Sequence, residues 1–418
     1  MRNAGVMATV AFVAIVLCLT PVVSGQGPPD PPGGPPDGPG NLQATVDELL
    51  ARVAALEELT QFLIVVQGPI NGLDGPHLII EGANVHIESG SGSTNDGGTL
   101  GNLVVGYNEV PIGGLVAGDR DGSHNIVLGT EHKYSSSGGL VAGRANTISG
   151  LFASVSGGLF NEARGNLSSV SGGRINTAVG DESSVSGGRA NAATGINSSA
   201  SGGIANNALG FLSSVSGGRS NLAIGEASSI SGGRSNIAEG DEASISAGLS
   251  NDARGDLSSV SGGRDNIASG IESSVSGGGE NIASGESSSV SGGKGNEAFG
   301  VRSSVSGGTD NEAFGGNSSV SGGVGNEAIG SESSVSGGGV NLAIGNQSSV
   351  SGGQFNEARE NLSSVSGGAN NVASGFFSSV SGGTSNTAIG NFSTVSGGKN
   401  KTAPNDFNWA AGSLLEPL

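Results

Sequence analysis

Residues 168–182 read S-S-V-S-G-G-R-I-N-T-A-V-G-D-E, and close variants of this 15-residue segment follow one another from Ala153 to Lys399. Valine, isoleucine or alanine recurs every fifteenth position from Val155 to Val395. The same interval separates successive asparagines, alanines and second glycines of the Gly-Gly pairs. A fixed period of this kind indicates one supersecondary unit stacked on the next. The sequence therefore predicts a rod of coils rather than a globular core.

Each segment contains the pattern for two short strands and two corners. In Ser169-Val170-Ser171 the valine can face the interior while both hydroxyls face outward. The Gly-Gly pair that follows suits a corner with positive φ, and a second strand places Asn176, Ala178 and Gly180 on one face. Parallel stacking sets like residues about 4.8 Å apart. We predict an all-β fold, a parallel β-solenoid (β-roll) of 15-residue coils, preceded by a short coiled-coil helix.

The asparagine of each segment has two structural explanations. It can adopt the left-handed conformation at a corner, or its amide can form an internal ladder from coil to coil. A ligand site would not need a copy in every coil. We therefore interpret both the asparagines and the serines as structural.

Composition and charge exclude several classes of protein. The chain has 80 glycines in 418 residues, with aromatics at 4%. Strict register argues against a flexible linker, and glycine does not fall at every third position, as collagen requires. The net charge of −19 favours a solvated, self-repelling surface and argues against nucleic-acid binding, which needs clustered lysine and arginine. We expect no nucleic-acid partner.

The first residues have the pattern of a secretory signal peptide. Arg2 precedes an apolar stretch from Val6 to Val23, and Val23-Ser24-Gly25 is a small-residue cleavage site. Cleavage there would remove Cys18, the single cysteine. The alternative is an uncleaved anchor, which would be the chain's one contact with a membrane.

A heptad pattern follows the Pro/Gly-rich stretch. Leucine recurs every seventh residue from Leu42 to Leu63, with Val46, Val53 and Thr60 interleaved. Three heptads beside a Pro-rich segment favour association between chains, and one helix packed on its own chain is the alternative. A Val/Leu seam does not distinguish a dimer from a trimer.

Outward positions beside the interior alanines are often apolar, as at Leu222, Ile224, Phe299 and Phe314, although glutamate, arginine and serine occupy the same columns elsewhere. A mixed column of this kind suggests a partly buried seam against another chain. Together with the heptads it predicts a homo-oligomer of parallel chains.

The ends of the repeat tract depart from the 15-residue spacing. Val127 and Val141 lie at 14-residue intervals before Val155, which predicts two shorter entry coils. Val105 lies 22 residues before Val127, which predicts a looped insertion.

At the other end, residues 409–412 fall in register with residues 394–397, so Phe407 and Trp409 are predicted to close the last coil. The predicted organisation is a signal peptide at 1–25, a Pro/Gly-rich linker at 26–40, a coiled-coil helix at 41–67 ended by Gly68-Pro69, a β-rich transition with irregular entry coils at 68–150, regular repeats at 151–403 and a C-terminal cap at 404–418.

The segments Asn125-Ile126-Val127-Leu128-Gly129 and Gly139-Leu140-Val141-Ala142-Gly143 resemble the S-V-A-I-G-x-x-x-x-A-x-G repeat of YadA-like trimeric autotransporter adhesin heads. The resemblance covers residues from about 100 to 400. It implies a left-handed parallel β-roll with one coil per repeat, three chains side by side, and adhesion. In that family the coiled coil usually follows the head, whereas here it precedes it. The family's C-terminal membrane strands have no counterpart up to Leu418, so self-export and outer-membrane anchoring are not implied.

Sequence patterns for chemistry are lacking. His77, His86, His124 and His132 precede the regular repeats without metal-ligand spacing, and no serine lies in G-x-S-x-G. Acidic pairs such as Asp181-Glu182 do not follow the spacing of calcium-binding β-rolls. We interpret them as solvated charge, with Ca²⁺ at acidic corners as the alternative. The sequence predicts no catalytic, cofactor-binding or metal-binding residue, no cofactor and no enzyme.

The expected function is that of a secreted or cell-surface structural and adhesive fibre protein. We expect a homotrimer whose repeated, multivalent surface binds an unknown extracellular ligand, either a matrix protein or a glycan. The alternative is an ordered-lattice binder, for ice or crystalline polysaccharide, that uses the regular hydroxyl array of Ser169, Ser171 and their counterparts.

Overall fold

A computed structural model describes residues 39–111 and 113–412. They form two compact units that divide between Val85 and His86. The predicted signal peptide, most of the Pro/Gly-rich linker, and residues 413–418 of the predicted cap lie outside the described residues.

The first unit contains a helix and a β-hairpin. Helix α1 spans Pro39–Thr60, and strands β1 (Leu63–Val66) and β2 (His77–Ile80) pair antiparallel. The expectation that the helix runs to residue 67 and ends at Gly68-Pro69 is wrong. The Leu-Ile-Val-Val sequence of β1 is rich in β-branched residues, which favour strands, and it pairs with β2. Leu63 therefore lies in a strand and not in the helix.

The second unit is a parallel β-solenoid, as predicted. Its irregular strands are β3 (Leu103–Val105), β4 (Ile126–Thr130), β5 (Lys133–Tyr134), β6 (Leu140–Arg144) and β7 (Thr147–Ile148). Each of the seventeen regular coils then has two strands of two residues. The first strands recur every fifteen residues from Ser154–Val155 (β8) to Thr394–Val395 (β40), and the second strands from Glu162–Ala163 (β9) to Thr402–Ala403 (β41), followed by β42 (Trp409–Ala410).

Like residues stack on like residues throughout the regular coils. Val170 pairs with Val155 and Val185, and Ala178 pairs with Ala163 and Ala193. These valines and alanines are completely or almost completely buried along the rod. The core is therefore two facing columns of small apolar side chains, and each coil packs on its neighbours alone.

Backbone hydrogen bonds between coils run in both directions. The Ser169 N–H donates to the carbonyl of Ser183 in the next coil (2.9 Å), whereas the Ile175 N–H donates to the carbonyl of Leu159 in the previous one (3.0 Å). The direction reverses at a residue in the left-handed conformation, with φ of 58° at Ile175 and 59° at Glu182. Both columns keep this conformation from coil to coil. The inter-coil hydrogen bond offsets the cost of left-handed φ, about 1–2 kcal/mol for a residue with a Cβ.

The asparagine column forms an amide ladder, the second of the two explanations. Oδ1 of Asn176 accepts the N–H of Asn191 in the next coil (3.0 Å). Nδ2 of Asn176 donates to the carbonyls of Gly172 (2.9 Å) and Gly188 (3.1 Å). The left-handed explanation is wrong for this column, since positive φ belongs to the residue before each asparagine, such as Ile175. Each buried amide has all its principal hydrogen bonds.

The entry coils confirm the predicted 14-residue intervals, but the predicted interval of 22 residues between Val105 and Val127 is wrong. Val127 pairs with Val141, and Val141 pairs with Val155. One strand earlier, Val104 rather than Val105 pairs with Val127. The insertion is thus one residue longer than expected, because the adjacent valines are equivalent in sequence and pairing alone selects between them.

The C-terminal end follows the predicted register but not the predicted packing. Thr394 pairs with Trp409 and Val395 with Ala410. Phe407 and Trp409 are 76% and 69% exposed. They do not close the interior, because β42 continues the alternation and directs Trp409 outward.

Candidate binding surfaces

The first strand of each coil presents a uniform outward surface, which we call the serine face. Serine occupies every position from Ser154 to Ser379 on one side of the interior valines, with Thr394 after it. Serine also occupies every position from Ser156 to Ser396 on the other side. The first column is half-buried and the second is exposed. Two parallel rows of hydroxyls therefore run along the rod at the coil spacing of about 4.8 Å.

A third serine column points inward. Ser168, Ser183 and most of their counterparts are buried, and their hydroxyls have no hydrogen-bond partner among the described residues. Ala153 and Ala243 occupy the same column in two coils. The fold therefore does not depend on these hydroxyls.

The corner after the Gly-Gly pair carries a basic residue in several coils, and these residues share one column. We call five of its exposed arginines the arginine stripe: Arg174, Arg189, Arg219, Arg234 and Arg264. Backbone bridges connect this column from coil to coil, as between Arg174 and Arg189. The net charge of the chain does not reveal this cluster. The 15-residue spacing of the arginines was the signal that could have revealed it.

Acidic residues stack farther along the rod. Glu297, Glu312 and Glu327 pair in register in the second strands of three successive coils. Burial raises the pKa of Glu312, and the neighbouring carboxylates of Glu327 and Glu297 raise that pKa further. The rod is thus electrostatically asymmetric along its length.

The outward columns beside the alanines are apolar in places, as expected. Phe299 and Phe314 stack with ring centroids 4.9 Å apart, and Ile329 and Ile344 are 37% and 36% exposed. These residues form a continuous apolar strip over four coils. Burial of this strip by a second chain remains a prediction.

A stack of phenylalanines lies near the C-terminal end, at a left-handed corner. The rings of Phe377 and Phe392 are 5.3 Å apart, and those of Phe392 and Phe407 are 5.2 Å apart, both nearly parallel. Such stacking contributes about 0.5–1.5 kcal/mol per pair beyond area burial. It links the last three coils on their outer side.

The histidines do not assemble a metal site. His77 lies in β2, and His86 is exposed beside Glu88. Nε2 of His124 accepts the N–H of Ser89 (3.2 Å). In the part of the chain that the structure describes, no group of histidine, cysteine, aspartate and glutamate is arranged to hold a metal ion.

His132 has a structural role that the sequence analysis missed, because it occupies the asparagine column in an entry coil. Its backbone N–H donates to Oδ1 of Asn108 (2.8 Å), and its Nδ1 accepts the N–H of Asn146 (3.2 Å). Its Nε2 lies 3.0 Å from the carbonyl of Leu128. A neutral imidazole with its proton on Nε2 satisfies both ring nitrogens. His132 precedes Asn146 by the 14 residues that separate Val127 from Val141, and that spacing was the available signal.

We expect the entry coils to lose stability as the pH falls below about 6.5. Burial lowers the pKa of His132 in the folded state, so the unfolded chain binds the proton more tightly and acid favours unfolding. His132→Asn should remove this dependence, because an asparagine supplies the same acceptor without titrating. Amide hydrogen exchange at Asn146, with rates corrected for intrinsic pH dependence, measures the effect between pH 7 and pH 5.

The matched control for that experiment is His86→Asn, which removes an exposed histidine. It should leave the pH dependence at Asn146 unchanged. Equal pH dependence in the His132→Asn variant and the unmodified protein would contradict the role of His132.

A loop before the first coil is fixed by a carboxylate. Asp96 accepts hydrogen bonds from the hydroxyls of Ser89 and Ser123 and from the N–H of Gly98. These hydrogen bonds, the one from Ser89 above all, hold the pKa of Asp96 well below its usual range. The carboxylate therefore stays ionised and connects the loop to the entry coil.

One shallow depression lies between the entry coils and the first regular coil. Its charged groups are paired, Lys133 with Asp119 (3.0 Å), Arg164 with Glu162, and Glu131 with Arg144 (3.0 Å) beside the depression. This internal pairing leaves the depression without the convergent free polar groups of a small-molecule site.

No protein-family model and no curated protein matches this chain. Within residues 39–111 and 113–412, no helix has the length and apolar character needed to cross a bilayer. The function is therefore inferred from the surfaces of the solenoid, and membership of the adhesin-head family stays a prediction from the sequence. A β-solenoid of repeated coils is consistent with a structural or binding repeat protein.

Proposed function

We propose that the protein is a secreted or cell-surface fibre protein with a structural and adhesive role, and that it is not an enzyme. The observation that carries this proposal is the serine face, which repeats without a change of position over the regular coils. An outward surface needs no such uniformity for folding, so we propose a binding role for the outward serines in place of the structural role expected from the sequence. A row of identical sites converts weak single contacts into strong overall binding to a repetitive extracellular partner, such as a matrix protein or glycan.

Helix α1 supports assembly of several copies. The predicted seam residues Leu42, Val46, Leu49 and Val53 are 40–70% exposed in the single chain. Among the described residues, these positions are not buried against the chain itself, which supports association between chains over packing of the helix on its own chain. We propose that three parallel copies bury it, together with the apolar strip of the rod.

Native mass spectrometry should give three mature chains, each beginning at Gln26. Leu49→Asp with Leu56→Asp should dissociate the assembly at low protein concentration, because buried charge in a seam is strongly unfavourable. Ala51→Asp with Ala55→Asp adds the same charge away from the seam and should leave three chains. A monomeric unmodified protein would remove both the seam and the strip arguments.

A second candidate function is binding to an ordered lattice, ice or crystalline polysaccharide. The favouring observation is the pair of outward serine columns that contain Ser169 and Ser171, which form a regular hydroxyl array. Thermal hysteresis and sedimentation with insoluble glycans separate this candidate from the first. Null results in both assays would eliminate it.

A further inference from the structure

The basic residues of this acidic chain are concentrated in one column of the solenoid. The chain has 17 lysines and arginines in all. Eight of them occupy the column of positions bridged from coil to coil, seven after a Gly-Gly pair and Arg144 after Ala142-Gly143: Arg144, Arg174, Arg189, Arg219, Arg234, Arg264, Lys294 and Lys399. A net charge of −19 conceals this segregation, because the acids lie in other columns.

The middle of the arginine stripe has no internal counter-ion. In the described residues, Arg174, Arg189, Arg219 and Arg234 form no ion pair, whereas Arg264 lies 3.7 Å from Glu280. The segments of the first three arginines, from Ser171 to Gly180, Ser186 to Gly195 and Ser216 to Gly225, contain no acid, and the segment of Arg234, residues 231–240, contains one, Glu239.

Stacking like charges in this way is unfavourable in the isolated chain. Arg174 and Arg189 lie in adjacent coils, as do Arg219 and Arg234, with backbones about 4.8 Å apart. Their guanidinium groups repel one another. Folding does not require arginine there, since Ile204, Gly279 and Thr309 occupy the same column. An external anion would turn this repulsion into attraction.

Aliphatic residues interrupt the column at a regular interval. Leu159, Ile204 and Leu249 stand in every third coil, 45 residues apart, with an arginine on each side. Ile204 and Leu249 are 48% and 38% exposed. Along this column, pairs of arginines thus alternate with a single aliphatic side chain, and the aliphatic side chains recur about every 14 Å.

We propose that the arginine stripe binds an extended acidic polysaccharide along the rod. Carboxylate or sulfate groups of the polymer accept hydrogen bonds from the guanidinium forks, which match planar anions. The C–H faces of sugar rings pack on the intervening aliphatic side chains. This inference names a ligand class for the proposed binding rod and rests on that proposed function, but it does not require three chains.

The observations favour a polysaccharide over a nucleic acid. Duplex DNA carries one charge per about 1.7 Å, and acids such as Asp181, Glu182 and Glu226 at the opposite corners would repel so dense a polyanion. Single-stranded nucleic acid is held by aromatic platforms, whereas the residues between the arginines are aliphatic. A glycan with one anionic group per one or two sugars fits the sparse stripe better.

The test compares two variants of the full-length protein with equal net charge. The stripe variant carries Arg174→Gln, Arg189→Gln, Arg219→Gln and Arg234→Gln. The control variant carries four substitutions of arginines outside the column: Arg164→Gln, Arg254→Gln, Arg302→Gln and Arg359→Gln. Binding to immobilised alginate, dextran sulfate, neutral dextran and oligo(dT) is measured by interferometry at about 50 mM and about 200 mM salt. Circular dichroism verifies folding.

We expect the unmodified protein to bind alginate or dextran sulfate, with an affinity that falls as salt rises, and not to bind neutral dextran. The stripe variant should bind at least about tenfold more weakly and with a smaller salt dependence, while the control variant stays within about twofold. Comparing the affinity for alginate with the affinity for dextran sulfate distinguishes carboxylate from sulfate ligands.

Three outcomes would overturn the proposal: equal losses in both variants, no binding of either anionic glycan, or tighter binding of oligo(dT). Native mass separates this failure from failure of the proposed function. If three chains and binding to a matrix protein persist without binding of either anionic glycan, the stripe proposal alone is wrong.

Discussion

Replacing Asn221 with alanine is expected to lower the free energy of unfolding by about 2–4 kcal/mol. Asn221 connects three successive coils through its backbone and its side chain. Its backbone N–H donates to Oδ1 of Asn206 (3.0 Å), and its own Oδ1 accepts the N–H of Asn236 (3.0 Å). Nδ2 donates to the carbonyls of Gly217 (2.8 Å) and Gly233 (3.1 Å). Alanine leaves the buried Asn236 N–H without an acceptor and opens a cavity.

Two further variants separate hydrogen bonding from volume. Asn221→Asp keeps the shape of the side chain but turns an oxygen toward the carbonyls of Gly217 and Gly233. We expect it to be at least as destabilising as alanine at neutral pH, because that oxygen would bear charge in a buried site. Ser213→Ala, in the same coil, removes a buried hydroxyl that has no hydrogen-bond partner among the described residues. It should be neutral or slightly stabilising, since Ala243 occupies the same column naturally.

Denaturant unfolding of the full chain and amide exchange at Asn236 measure these effects. Exchange provides a local readout, because a solenoid can open near the substitution while distant coils stay folded. A loss for Ser213→Ala as large as that for Asn221→Ala would contradict the ladder as the stabilising element.

The period and the hydrophobic alternation were sufficient to predict the solenoid and most of its register. A 15-residue interval leaves no other partner for Val170 than Val155 and Val185, so parallel stacking follows from repetition alone. The role of the asparagine could not be decided in the same way. A short amide suits both a left-handed corner and an internal ladder, and the choice depends on carbonyls brought near it by neighbouring coils.

The two left-handed columns had only a weak signal in residue type, because glycine and asparagine, as at Gly295 and Asn370, occupy only some of their positions. They contain Phe160, Leu167 and Ile175, and such residues normally avoid positive φ. In this conformation the backbone N–H points to the previous coil instead of the next one and donates to a carbonyl there. The conformation therefore depends on contact between coils. The end of helix α1 was missed for a similar reason, since the pairing of Leu63 with Ile80 is not local.

The candidate surfaces were partly accessible from the sequence. The outward serine columns follow directly from alternation around Val170. The arginine stripe was equally regular, but net charge averages over columns that face different directions. Sorting residues by their position in the coil, rather than along the chain, would have separated Arg174 and Arg189 from the acids at Asp181 and Glu182.

Gly188→Ala is expected to destabilise the rod by about 3 kcal/mol or more. Gly188 has φ of 83°, where a residue with a Cβ is strained. A Cβ at this position would lie 2.3 Å from the carbonyl oxygen of Gly203 and 2.5 Å from Nδ2 of Asn191. Neither neighbour can move away freely, because the backbone and the asparagine ladder hold both in place. The two adjacent coils would have to separate locally.

The neighbouring glycine is the matched control for this prediction. A Cβ on Gly187 would meet no atom within 4 Å, and Ala247 stands at the equivalent position of a later coil. Gly187→Ala should therefore change the free energy of unfolding by no more than about 0.5 kcal/mol. Amide exchange at Arg189 tests both variants, since its N–H donates to the carbonyl of Gly203 (2.9 Å). Unchanged protection of Arg189 in Gly188→Ala would mean that the coils are not in the close contact on which the rod depends.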